Sequence, residues 1–145
     1  NNSMVSYPQN IKPVYYAVSN ACRSVLASAR FRQLVNIGGT VLDFDIFLLN
    51  DSLEKLDDGT VKAYVQVGDE EKVSVLNWDY SNVPICTNLQ GPTVHYKLPL
   101  KEGADTLKII LECGSYSSTY MLLYRLPKKP ANAPKKMNAI FDENC

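Results

Sequence analysis

A hydrophobic period of two, returning segment after segment, constrains this chain more than any other feature. From Val41 to Asn50, Leu42, Phe44, Ile46 and Leu48 fall on one side of an extended backbone, and Asp43 and Asp45 fall on the other. Successive strand side chains point to opposite faces, so such a segment offers one face to a core and one to water. Val61, Ala63, Val65 and Val67 alternate with Lys62, Tyr64 and Gln66 in the same way. So do Val94, Tyr96 and Leu98 with His95 and Lys97, and Leu107, Ile109, Leu111 and Cys113 with Lys108, Ile110 and Glu112. Ser24 to Phe31, Lys72 to Trp78 and Tyr120 to Leu126 complete about seven strands. Between them stand turn formers: Gly38-Gly39, Asn50-Asp51-Ser52, Asp57-Asp58-Gly59 and Gly68-Asp69-Glu70-Glu71. The stretch from Asp79 to Pro92, rich in Asn, Pro and Gly, reads as a loop. The pattern predicts an all-β fold, an immunoglobulin-like antiparallel β-sandwich, without the Cys…Trp…Cys signature of antibody domains.

The two ends read differently. Ile11, Val14, Tyr15, Val18, Cys22 and Val25 recur at helical spacing, with Lys12, Ser19, Asn20 and Arg23 off the stripe. Asn10 is the expected N-cap, Pro13 suits a first helical turn, and the helix is expected to end between Cys22 and Ser24. The sandwich is therefore preceded by one short α-helix. From Pro127 the composition turns to Lys128-Lys129-Pro130-Ala131-Asn132-Ala133-Pro134-Lys135-Lys136, which cannot bury enough apolar surface to order itself. The expected layout is a leading segment at 1–23, a sandwich at 24–126 and a Pro/Lys-rich linker or tail at 127–145, as in an internal segment of a multidomain protein.

Several function classes are disfavoured. Fifteen basic residues balance 15 acidic ones, so the basic face that nucleic-acid binding needs is not expected. No apolar run approaches the length of a membrane helix, and Asn1 to Asn10 has neither the basic start nor the apolar stretch of a signal peptide. A single histidine, His95, is read as a surface residue and makes a catalytic triad or a zinc hydrolase site improbable. The four cysteines, Cys22, Cys86, Cys113 and Cys145, have no close pair, and free thiols are expected. Asp43 and Asp45, two apart on one strand face, have a spacing a glycosidase pair can use, but a charged, solvated outer sheet face is the favoured reading. Asp57 and Asp58 are turn formers, and Asn50-Asp51-Ser52 is both an N-glycosylation pattern and a turn, the turn being favoured. No glycine-rich phosphate motif is present. No catalytic residue, metal ligand or cofactor is expected within the chain.

Trp78 and Tyr80 remain as candidates for binding. They flank Asp79 where a strand gives way to a loop, and exposed aromatic rings there can stack on the C–H faces of a sugar. The competing reading is that Trp78 plugs the end of the core.

Several segments resemble the accessory sandwich domain of glycoside hydrolase family 2 enzymes, the β-mannosidase, β-galactosidase and β-glucuronidase group. Lys12-Pro13-Val14-Tyr15-Tyr16-Ala17-Val18 is similar to the K-P-x-Y-Y-A-L stretch at the end of the catalytic (β/α)₈ barrel in such enzymes. Ala21 to Arg30 resembles the A-x-x-P-V-L-V-S-A that follows, with Ser24 in place of Pro. Phe47 to Ser52 resembles the L-x-N-D-S strand end, and Asn88 to Val94 and Tyr120 to Arg125 are similar to the β-mannosidase-like branch. The resemblance spans about residues 11–126 and includes no catalytic motif. It implies a secreted or periplasmic parent that hydrolyses β-linked sugars by a retaining mechanism, with its two glutamates in the barrel and none here. This chain would then be a non-catalytic domain whose partner is that barrel. A carbohydrate-binding module holding an oligosaccharide at Trp78 and Tyr80, or a cell-surface interaction sandwich, are the alternatives. Self-association through the leading helix is a further expectation, because its apolar stripe would lack its cover.

Overall fold

The computed structural model describes residues 3–128. A two-residue pair, β1 (Val5–Ser6) and β2 (Asn10–Ile11), leads into α1 (Pro13–Ala21). The strands β3 (Val25–Phe31), β4 (Val35–Ile37), β5 (Val41–Asn50), β6 (Gly59–Val67), β7 (Val73–Tyr80), β8 (Thr87–Lys97), β9 (Thr106–Cys113) and β10 (Tyr116–Arg125) follow. They form two sheets, a three-stranded one in the order β3-β5-β8 and a five-stranded one in the order β4-β10-β9-β6-β7. Every sandwich pairing is antiparallel except β4 with β10. The chain moves between sheets as an immunoglobulin-like sandwich does.

The core lies between the sheets and is built from the alternating residues. Leu42, Phe44, Ile46 and Leu48 of β5 face Val61, Ala63, Val65 and Val67 of β6 and Leu107, Ile109 and Leu111 of β9, all buried. Tyr124 of β10 is buried too, and its hydroxyl has work to do there. It donates to the carbonyl of Pro99 at 2.6 Å and accepts from the Lys101 amide at 3.0 Å, tying the β8–β9 crossover to β10. A side chain on Gly38 would overlap that hydroxyl, so the tight start of the β4–β5 turn needs glycine.

Three expectations need correction. The sandwich has an additional strand: β4 is three residues long, and its buried residue is Asn36, flanked by exposed Val35, so it gives no apolar alternation to read. The loop expected from Asp79 to Pro92 is short, because β7 runs on through Tyr80 and β8 begins at Thr87. Gly91 and Pro92 together oppose Ile46 of β5, the pairing passing from Asp45–Thr93 to Phe47–Gln90. This is a β-bulge on an edge strand, where a proline without an N–H costs no ladder bond. Finally, the helix is capped by the backbone of Lys12, not by Asn10, which is occupied in pairing with Ser6. It ends at Ala21, and Ile11, expected on its stripe, lies in β2 opposite Val5, whereas Val25 falls in β3 as the strand reading had it.

Candidate functional site

Trp78 and Tyr80 stand two apart on β7 and so share a face. Both are half-buried and packed against the core. Each ring is seated on a glycine. A Cβ on Gly91 would lie 2.5 Å from the Trp78 ring, and one on Gly59 would overlap the Tyr80 hydroxyl. Gly91 belongs to β8 of the other sheet, so Trp78 closes the side of the sandwich where β7 and β8 are the edge strands. The Tyr80 hydroxyl lies 3.4 Å from the buried Cys113 sulfur, and burial pushes its pKa up to about 12, with the Cys113 contact adding to the effect. Asp79 points away from the rings and accepts from the Thr60 hydroxyl at 2.6 Å. Beside Tyr80 lies an open depression of about 460 Å³ walled by Asp58, Thr60, Asp79 and Ser81. The two aromatics are thus brought together, with one ring face of each taken up by the fold.

The outer face of the β3-β5-β8 sheet is more ordered than a solvated face would be. The strand register sets Arg30, Asp45 and Thr93 in one row and Asp43 and His95 in the next. Asp45 accepts from Arg30 Nη2 at 2.8 Å and from Thr93 Oγ1 at 2.6 Å. These partners leave it only 8% exposed and hold its carboxyl below the usual carboxylate pKa, the Thr93 hydrogen bond being the largest cause. The Arg30 guanidinium also lies over the Phe47 ring, 5.3 Å from its centre. His95 Nδ1 is 2.6 Å from Asp43 Oδ1, on the exposed side of its strand as expected. Asp43 and Asp45 therefore each have a hydrogen-bonding partner of their own, His95 and Arg30, whereas a retaining pair must face one another across a sugar.

Asn50 is fully buried. Its Nδ2 donates toward the carbonyls of Glu54 at 3.0 Å, Val83 at 3.2 Å and Pro84 at 3.0 Å, and its Oδ1 accepts from the amide and hydroxyl of Ser52. The turn reading of Asn50-Asp51-Ser52 is the one the fold uses; the amide that a glycan would need is enclosed. Cys22 and Cys86 are exposed free thiols and Cys113 a buried one. Cys145 and the stretch from 129 on, for which a linker was expected, lie outside the described residues. Among the described residues no cluster of His, Cys, Asp and Glu is arranged to hold a metal ion, and no helix is long and apolar enough to cross a membrane.

At the other end, α1 buries none of its residues. Val14 is 48% exposed and Val18 39%, with Ile11 and Tyr15 alongside. The helix is nevertheless held to the sandwich just beyond its end. Arg23 donates to the Ser117 carbonyl at 2.9 Å and to the Ser118 hydroxyl at 3.0 Å, and its guanidinium lies over the Tyr116 ring. Sequence reasoning found the stripe but missed this clamp, because Arg23 and Ser117 meet only through the fold.

Neither a protein-family model nor a characterised protein sequence matches the chain. Among solved structures, one similar chain is AvmM, described as catalysing macrocyclization in alchivemycin A biosynthesis. The match has 13% identity and a TM-score of 0.42, and it covers 77% of this chain and 93% of AvmM. Another is Spo0M, the sporulation control protein of Bacillus subtilis, with 10% identity and a TM-score of 0.42, covering 74% of this chain and 51% of Spo0M. Both likenesses are distant in sequence and in shape, and neither description concerns a glycosidase.

Proposed function

We propose that the chain is a non-catalytic accessory sandwich whose leading helix is the seam to a neighbouring domain of the same polypeptide. On the family 2 resemblance, that neighbour is the catalytic barrel of a secreted or periplasmic, β-mannosidase-like glycosidase acting on β-linked sugars. The observation that carries the reading is the helix. A nine-residue helix is unstable on its own in water, and most helical stability comes from packing an apolar face. Here that face, Val14, Tyr15 and Val18, is uncovered, with exposed Ile11 of β2 preceding it, while Arg23 fixes where it is presented. An exposed apolar stripe on a fixed element is the mark of an interface. The pairing of Asp43 with His95 and of Asp45 with Arg30 supports a domain without hydrolytic groups of its own.

The reading is tested by the double substitution Val14→Glu and Val18→Glu, made both in the chain alone and in the full-length polypeptide. The expected result is an unchanged thermal transition for the isolated sandwich and faster proteolysis between residues 1 and 25 in the larger protein. Equal protease resistance in both forms of the larger protein would remove the seam. Loss of a dimer of the isolated chain on the same substitutions would assign the stripe to a second copy instead. The isolated chain is also expected to leave aryl β-mannoside, β-galactoside and β-glucuronide intact; turnover abolished by Asp43→Asn or Asp45→Asn would refute the non-catalytic role. The depression beside Tyr80 favours, as a second reading, a carbohydrate-binding module using Trp78 and Tyr80. Intrinsic fluorescence of Trp78, the sole tryptophan, reports on it: a saturable change on adding oligosaccharide would support that reading.

A further inference from the structure

We propose that the outer face of β4 and β10 is the docking site for the chain's own apolar–acidic segment, Ala139-Ile140-Phe141-Asp142-Glu143. β10 alternates toward its end: Leu122 and Tyr124 turn into the core, and Met121, Leu123 and Arg125 turn outward. The parallel pairing sets Val35 of β4 beside Leu123, and the antiparallel pairing sets Lys108 of β9 beside Met121. Met121 is 68% exposed, Leu123 47% and Val35 46%, and Leu34, at the sandwich edge just before β4, is 68% exposed. Four large apolar side chains thus stand together on a sheet that the sandwich itself leaves uncovered. Single exposed hydrophobes are ordinary on a surface; a group of them on a rigid element marks a contact. The patch includes no residue of α1 and does not depend on the seam argued for that helix.

Position and charge select the occupant. The chain leaves β10 at Arg125, two residues beyond Leu123 and on the same strand as the patch. It then runs through the Pro/Lys-rich stretch before its next large apolar side chains, Met137, Ile140 and Phe141. Residues 139–143 lie outside the described residues; their sequence is what selects them. At about 3.3 Å per residue, residues 126–138 can span roughly 40 Å, whereas Met121 lies only about 13 Å back along β10 from Arg125. The border of the patch is basic. Arg125 stands outward beyond Leu123, and Lys108 stands beside Met121. Neither forms an ion pair among the described residues: Arg125 donates to the Tyr124 carbonyl, and Glu112, the acid on the outer face of β9, is taken by Lys72. Asp142 and Glu143 directly follow Ile140 and Phe141. Two apolar side chains followed by two carboxylates match an apolar patch with a basic border, and the same border disfavours the lysines of the intervening stretch. A contact this small is weak between separate molecules, but a short covalent tether supplies an effective concentration in the millimolar range.

The test uses the full chain carrying Cys22→Ser and Cys86→Ser, so that a nitroxide is placed on Cys145 while Cys113 stays buried. Methyl ¹H–¹³C spectra are recorded with the nitroxide oxidised and then reduced. Loss of the Met121 and Leu123 methyl signals in the oxidised sample is expected, with their recovery when Ile140→Asp and Phe141→Asp are added. Recovery decides the matter, because a tether without docking would weaken the signals equally in both forms. Arg125→Glu, an exposed change that leaves the apolar residues in place, should restore part of the signal by removing the basic border. Signals that stay intact in the oxidised sample, or that are weakened to the same extent with and without the two aspartates, would overturn the proposal. A mixed sample separates the remaining occupant: if a ¹³C-labelled chain without nitroxide loses the same signals on mixing with a nitroxide-bearing unlabelled chain, the segment comes from a second copy, and docking within one chain is refuted.

Discussion

Replacing Asn50 with alanine is expected to be among the most damaging single changes in this domain. The side chain ends β5 and holds two separate loops, 51–56 and 81–86, through one amide. Alanine removes the Asn50 donor from the carbonyls of Glu54, Val83 and Pro84 and the acceptor from the Ser52 amide, although the Leu56 amide still reaches the Val83 carbonyl and the Ser52 hydroxyl still reaches that of Glu54. The Val83 carbonyl, on a buried residue, keeps the Leu56 amide as donor, so the cost is that of the lost bonds and not of a buried orphan. At roughly 0.5–1 kcal/mol net for each of these four lost bonds, the loss is about 3 kcal/mol. Urea unfolding followed by far-UV circular dichroism checks it: the midpoint should fall by about 1.5 M with an unchanged slope, taking a slope of roughly 2 kcal/mol per M. Asn50→Asp should be worse at neutral pH, because it sets a carboxylate against three carbonyl oxygens. Such a carboxyl has a folded-state pKa raised above its unfolded value. Its penalty is therefore absent below the unfolded pKa and grows as pH rises toward the folded one. A loss under about 1 kcal/mol for Asn50→Ala would refute the claim that this amide joins the loops. So would a glycan found on Asn50 of the folded protein.

Gly91→Ala should destabilise by about 1–3 kcal/mol through overpacking against Trp78, and should shift the emission of that single tryptophan; an unchanged spectrum and midpoint would mean that the ring is free to move aside. Asp45 has a depressed pKa in the folded state, so the stability it adds is present above the unfolded value near 3.8 and is lost as pH falls through the folded one. The stability gap between the protein and Asp45→Asn should accordingly be constant at neutral pH and close below about pH 4 in chemical denaturation, taking the ordinary aspartate pKa as the upper bound of the window. Thiol labelling with peptide mapping should find Cys22 and Cys86 modified in the native protein and Cys113 only after unfolding; early modification of Cys113 would show that the β7–β9 region opens readily. Tyr124→Phe should cost about 1–3 kcal/mol in thermal or urea unfolding, since the Lys101 amide and the Pro99 carbonyl lose their shared partner.

The alternation of apolar and polar residues determined the class of fold and most of its strands. In β5, β6 and β9 every second side chain meets the opposite sheet, and only one register buries them all. A local period of this kind is written in neighbouring residues and needs no knowledge of the rest of the chain. The stripe of α1 was legible for the same reason, although its true start was not: Asn10 is drawn into pairing with Ser6, and Ile11 into pairing with Val5.

What the tertiary structure decided lies where distant segments meet. The bulge at Gly91-Pro92 looks like a loop in sequence, and only the pairing with Ile46 and the seat it makes for Trp78 show it to be strand. Arg30, Asp45 and Thr93 become one polar row only after three strands align, and the clamp from Arg23 to Ser117 closes across the whole domain. Asn36 is the extreme case. A lone asparagine in a three-residue strand carries no pattern at all, and its burial is decided only by the crossover from β3 to β4. Periodicity fixes which face a residue takes. Which partners it finds there, or fails to find, depends on how the sheets are laid against each other.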